Sequence, residues 1–205
     1  MISKYALALA NYFAEKDMYS KERINVYKYG FELLISTVLN ISGILLISII
    51  WGAIEGAVLF CMAFIPLRLA AGGYHAKHHW SCILGFNVIF FGFAMVHHYM
   101  NIKYALPYSL AAIAVSALLV WSLAPVEAVN KPLKDVQRKT QRKKSVVISN
   151  INLALVLLFF AVPAIAKYAP FLAIYSSGAL AASLSLVVAA LVDRQERTDT
   201  DTASE

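Results

Sequence analysis

Six apolar stretches, each roughly 20 residues long, decide what this chain can fold into. They fall at about 31–51, 54–71, 82–100, 105–123, 146–166 and 171–192. A helix needs about 20 residues to cross the hydrocarbon core of a bilayer, so each stretch is long enough to span it. The six use more than half of the 205 residues and leave little for a separate soluble domain. Composition agrees. Hydrophobic residues make up 60% of the chain and charged residues 15%, where a soluble domain carries about a quarter charged. The expected fold class is an all-α polytopic membrane protein. It has six transmembrane helices and, before them, an N-terminal amphipathic interfacial helix. In residues 1–28, Ile2, Tyr5, Leu9, Tyr12 and Phe13 recur at helical spacing between Lys4, Asn11 and Glu15, which suits a helix on the membrane surface. No basic start, apolar core and cleavage site mark a signal peptide.

The distribution of charge orients the spans. Lys4, Lys16, Lys21, Arg23 and Lys28 precede the first span, and Arg68 and Lys77 lie between the second and third. Lys131, Lys134, Arg138, Lys139, Arg142, Lys143 and Lys144 lie between the fourth and fifth, and Arg194 and Arg197 follow the sixth. With six spans all of these share one side, and only Lys103 and Lys167 lie on the other. Basic residues accumulate on the cytoplasmic side. The expectation is therefore a multi-pass protein of the cell membrane with both termini in the cytoplasm. The net charge of +6 then marks topology and calls for no nucleic acid. Residues 1–192 form one integral membrane domain, and the polar tail 193–205 is expected to be disordered. The long connection 125–145 suits contact with anionic lipid or an acidic partner.

Chemistry concentrates between the second and third spans: Arg68-Leu-Ala-Ala-Gly72-Gly73-Tyr74-His75-Ala-Lys77-His78-His79-Trp80-Ser81-Cys82. Ionisable groups at membrane depth are costly and have a reason to be there. His75 and Cys82 have the residue types of a base and a nucleophile. The thiolate is the reactive form, and a neighbouring histidine can take the thiol's proton. Seven residues of straight helix, however, separate two side chains by about 10.5 Å of rise, too far for a hydrogen bond of about 3 Å. The pair can meet only if the chain bends, and Gly72 and Gly73 supply the freedom for a broken segment.

Plainer readings stand beside this one. His75 and Cys82 could be an interfacial imidazole and a buried thiol. His75, His78, His79 and Cys82 could bind zinc, but Ala76 follows His75 and the HExxH pattern is absent. No metal or other cofactor is expected. Glu32, Ser36 and Asn40 form a polar stripe on the first span. Such a stripe serves interhelical hydrogen bonds, or lets Glu32 orient His75 as a third catalytic member. Asn87 competes for that role. Arg68 either snorkels or binds substrate. Cys61, amid apolar neighbours, is expected to be core, which argues against a disulfide framework. His97, His98 and Tyr99 are expected to be interfacial anchors. Ser177, Ala181, Ser185 and Ala189 recur every four residues as a helix-packing face, within one bundle or between two copies of the chain.

The run Arg68, Gly72-Gly73-Tyr74-His75 and Cys82 resembles the motif of the accessory gene regulator B (AgrB) family, membrane endopeptidases that process quorum-sensing propeptides. The likeness covers most of the chain. It implies that His75 and Cys82 are the catalytic pair and that Arg68 and Gly73 match motif positions. It further implies that Cys82 attacks a propeptide carbonyl and releases the C-terminal part, leaving a thioester. A cysteine or serine of the substrate then closes a thiolactone or lactone ring, and exclusion of water favours cyclisation. The family's propeptides are amphipathic with an acidic C-terminal part, which suggests docking on Lys131, Lys134, Arg138, Lys139, Arg142, Lys143 and Lys144. The rival classes are a small membrane transporter or peptide exporter, and a zinc-dependent membrane hydrolase.

Overall fold

The computed structural model describes residues 2–16, 24–52, 54–72, 79–126 and 135–202. These form α1 (Ile2–Glu15), α2 (Ile24–Ile50), α3 (Ile54–Ala71), α4 (His79–Tyr99), α5 (Ile102–Leu123), α6 (Asp135–Phe160) and α7 (Ala169–Thr202). A 3-10 turn, Pro163–Tyr168, joins α6 to α7, and there is no strand among the described residues. Helices α2, α3, α5, α6 and the Ala166–Val192 stretch are long and apolar enough to cross a bilayer. α4 adds an apolar helix over Ile83–Tyr99. The chain is an all-α polytopic membrane protein.

Its exposure pattern is that of a bundle in lipid. Large apolar side chains point outward, among them Leu34, Val38, Leu46 and Ile49 on α2 and Leu155 and Leu158 on α6. Lipid tails are as apolar as leucine, so helices gain by close approach through small residues. α7 shows this best. Ala173, Ser176, Ser177, Ala179, Ala181, Ala182 and Ser183 are all buried, and α7 packs centrally against α3 and α5. A Cβ on Gly178 would collide with the Phe60 carbonyl of α3. The stripe Ser177, Ala181, Ser185 and Ala189 therefore packs inside this one bundle. The α7 serines satisfy themselves: Ser176 donates to Leu172 O (2.9 Å), Ser177 to Ala173 O (2.9 Å), Ser183 to Leu180 O (2.9 Å) and Ser185 to Ala182 O (2.6 Å). One buried cluster joins α3, α5, α6 and α7 around Leu67, Ile113, Val120, Val156 and Leu186. A second joins α2, α3, α4 and α7 around Ile44, Phe60, Phe90 and Ile174, with Cys61, a free thiol, packed against it.

Several boundaries differ from the sequence expectation. The fifth span, expected at 146–166, begins as helix at Asp135, because the basic run is made of good helix formers. It stops at Phe160: Pro163 lacks an N–H and bars the helical conformation of the residue before it. Ala161 and Val162 close the last turns onto Leu157 O and Phe159 O, and the chain passes into the 3-10 turn. α7 runs on as helix to Thr202, through the tail expected to be disordered. Arg194, Gln195, Glu196 and Arg197 extend a helix already nucleated upstream. α1 has two faces. Ile2, Ala6, Ala10 and Ala14 are buried against α2, and Phe13 stacks on Phe31 at 5.6 Å, while Tyr5, Leu9 and Tyr12 face outward. His97 turns inward, its ring edge-on to Tyr108 at 6.2 Å, whereas His98 lies 4.7 Å from Trp51.

Candidate functional site

α3 ends where its sequence says it should. Gly72 takes a left-handed conformation (φ +78°), which terminates a helix and costs glycine nothing. Its N–H donates to Arg68 O at 3.2 Å. Arg68 folds back along the same turn, and its Nη1 donates to the Gly72 carbonyl. Arg68 is thus a cap on its own helix end, bound to backbone immediately before the glycine–histidine segment.

A second chain segment grips the same point. Val126 N–H donates to Ala71 O at 3.1 Å, and Gly72 and Val126 form an isolated parallel bridge. A Cβ on Gly72 would run into the Val126 carbonyl, so this position needs glycine for both its φ and its neighbour. Val126 follows the end of α5, where Ala124 caps the helix through a 3.0 Å bond to Val120 O. From α6, Arg142 Nη1 donates to Ala124 O at 2.9 Å and Nη2 to Trp121 O at 3.3 Å. Trp121 Nε1 in turn donates to Asn150 Oδ1 of α6 at 3.1 Å. A cavity of about 290 Å³ opens beside this junction, lined by Ser122, Leu123, Ala124, Pro125, Arg138, Lys139 and Arg142. The ends of α3 and α5 and the start of α6 therefore meet at one end of the bundle.

In the sequence the catalytic candidates follow that junction, His75 three residues and Cys82 ten residues after Gly72. α4 begins at His79, so Cys82 belongs to its first turn. The side chains of His79 and Cys82 lie outside the described residues. Gly73, His75, Lys77 and His78 lie outside them entirely, as do Lys131 and Lys134. Arg138, Lys139, Arg142, Lys143 and Lys144 stand on the first turns of α6 and are exposed. Glu32 lies 3.9 Å from Lys28 one turn away on α2. Asn87 Nδ2 donates to Ile83 O at 2.8 Å and to Asn40 Oδ1 at 3.3 Å. It sits where a Cβ on Gly43 would strike it, and its Oδ1 is buried with no partner among the described residues. Asn40 thus makes the interhelical hydrogen bond expected of the α2 stripe. No cluster of three or more metal-ligating groups occurs among the described residues, which omit His75 and His78. Sequence reading missed Trp121, Ala124 and Val126. Pro125, beyond the fourth apolar stretch, marked the end of that helix but gave no sign of what it touches.

Known proteins supply the wider context. The family model for accessory gene regulator B matches residues 6–188. AgrB-like protein 2 of Clostridium perfringens strain 13 is 26% identical over 183 residues, covering 87% of this chain and 81% of its own length. An AgrB-like protein from another Clostridium perfringens strain is 26% identical over 155 residues, 73% of this chain and 71% of its own. Protein FsrB of Enterococcus faecalis is 26% identical over 120 residues, 58% of this chain and half of FsrB. No solved structure matches. A family match over nearly the whole bundle, with the Arg68–Cys82 run inside it, places this chain in the accessory gene regulator B family, whose members process peptide precursors in quorum sensing.

Proposed function

We propose that this protein is a membrane cysteine endopeptidase that cleaves a peptide pheromone precursor at the cytoplasmic face. His75 is the base and Cys82 the nucleophile. The observation that carries the reading is the break in the helix. α3 stops at Ala71, Gly72 turns left-handed, and α4 restarts at His79. A straight helix would hold His75 and Cys82 about two turns apart, and the interruption removes that obstacle. The first turn of α4 favours an anion, because the first N–H groups of a helix have no partner within it and the helix dipole is positive there. A Cys82 thiolate draws on both. Attack on the scissile carbonyl forms a thioester and releases the C-terminal fragment with the proton taken by His75. An internal cysteine or serine of the precursor then displaces Cys82 and closes the thiolactone or lactone. Gly73 gives the segment room, Arg68 holds its start, and Glu32 and Asn87 remain the candidates to orient His75.

α4 is 21 residues long, about 31 Å of helix and enough to span, so we count six spans with both termini inside. Lys131 to Lys144 then lie in the cytoplasm, where Lys143, Lys144 and their neighbours attract anionic lipid and the acidic part of the precursor. Two measurements test this reading. In a Cys61→Ala, Cys82→Ala background, a membrane-impermeant maleimide added to intact cells leaves Lys139→Cys unlabelled until the membrane is permeabilised. Labelling from outside overturns the topology. With the reconstituted protein and a precursor peptide that it cleaves, iodoacetamide stops cleavage and EDTA does not. The reverse result assigns the chemistry to zinc.

A further inference from the structure

The basic run on α6 is not uniform. Arg142 is bound to backbone: its guanidinium bridges Ala124 O and Trp121 O, carbonyls in the last turn of α5. Such carbonyls have no partner within their own helix and carry its negative end. A planar fork meets two of them at once, which a lysine ammonium does with less geometric constraint. Two residues after Ala124, the Val126 N–H holds Ala71 O, three residues after which Tyr74 leads into His75. Ala71 and Ala124 are each 1% exposed and belong to the same buried cluster, so the connection has no slack. Ser145, fully buried one turn on, donates to Arg142 O at 2.9 Å within α6. Lys143 and Lys144 point about 100° and 200° around the helix from Arg142.

We propose that Arg142 is a positioning residue. By fastening the α5 exit to α6, and through Val126 to the end of α3, it sets the point from which the segment carrying His75 departs. The charge of Arg142 serves the α5 carbonyls, and the docking role passes to the lysines on the other faces of α6. This inference rests on the His75–Cys82 pair proposed above.

The test needs no peptide. Full-length protein carrying Cys61→Ala is placed in lipid nanodiscs, and the rate of Cys82 alkylation by iodoacetamide is measured at pH 7. His75→Ala slows it by about tenfold or more, since the base that generates the thiolate is gone. Arg142→Ala slows it by a similar factor, Arg142→Lys by about threefold, and Thr140→Ala, whose hydroxyl is exposed on α6 and bonded within its own helix, by less than about twofold. The His75→Ala, Arg142→Ala double variant is no slower than His75→Ala alone, because Arg142 acts through His75. Gly72→Ala strikes the same junction from α3 and lowers the rate without touching α6. An unchanged rate in Arg142→Ala and Arg142→Lys, with His75→Ala slow, overturns the positioning role alone. So do multiplicative losses in the double variant, which a general loosening of the fold would give. An unchanged rate in His75→Ala overturns the base–nucleophile pair itself.

Discussion

Replacing Cys82 by alanine is expected to abolish cleavage of the precursor, with a fall of about 10⁴-fold or more in kcat. Fluorescence anisotropy of a labelled precursor should show binding within about twofold of the parent, because the thiol is one small group in the first turn of a helix. Alanine is a better helix former than cysteine there, so the fold should hold. Cys82→Ser is informative in a different way. A hydroxyl beside a histidine is a far poorer nucleophile than a thiolate unless a third group orients the base. If Cys82→Ser keeps about a hundredth of the parent rate, one of the candidate orienting groups is at work, and Glu32→Gln and Asn87→Ala in that background identify which. Full cleavage by Cys82→Ala ends the cysteine mechanism.

The largest effect on stability is expected at Gly178. Its α-carbon faces the Phe60 carbonyl so closely that any side chain must push α3 and α7 apart. Phe60 is itself fully buried, with Phe64, Phe86, Phe90 and Phe93 around it at centroid separations of 5.1–6.4 Å. Separating the helices would disturb all of these rings. Overpacking a filled core costs about 1–3 kcal/mol, and more when backbone must move. Gly178→Leu should therefore cost about 3 kcal/mol or more, read as a lowered unfolding midpoint in an SDS titration. Gly85 and Gly92 on α4 supply the contrast, since nothing lies within 4 Å of a Cβ added at either. Gly85→Ala and Gly92→Ala should be neutral or slightly stabilising, by about 0.5 kcal/mol. A Gly178→Leu midpoint equal to that of Gly92→Ala would show that α3 and α7 do not approach this closely.

The architecture was legible in the sequence because a bilayer admits so few solutions. Apolar stretches of the right length had to be helices, and helices α3 to α5 begin and end within three residues of those stretches. The misjudged ends have local causes. Hydropathy cannot see helix that continues into polar sequence, so α2 and α6 start before, and α7 ends after, the apolar stretches that mark them. Pro163 was the visible stop for α6 and outweighed the apolar residues after it. The site was half legible. The glycine pair announced a break, and the structure puts it at Gly72. Arg68 was read as a substrate or interface group, but its guanidinium reaches the carbonyl of Gly72 four residues on. Arg142 was one of seven similar cations in a row, and its partners lie in another helix, 18 and 21 residues away. Nothing in the run itself separates it from Lys143. Asn87 was read as a rival to Glu32 for orienting His75, and the contact the sequence did not show is its amide reaching Asn40 of α2. Contacts of this kind depend on which helices are neighbours, which single-chain periodicity does not encode.

The place of α7 at the centre of the bundle bears on how the protein is made. It follows α1 to α6 in the chain, yet α3 and α5 both close on it. Until it arrives, those two helices stand in the bilayer without their principal partner. α7 itself enters lipid at little cost, because its serine hydroxyls are already bonded to carbonyls of their own helix. Completion of the bundle around α3 and α5 thus waits on α7.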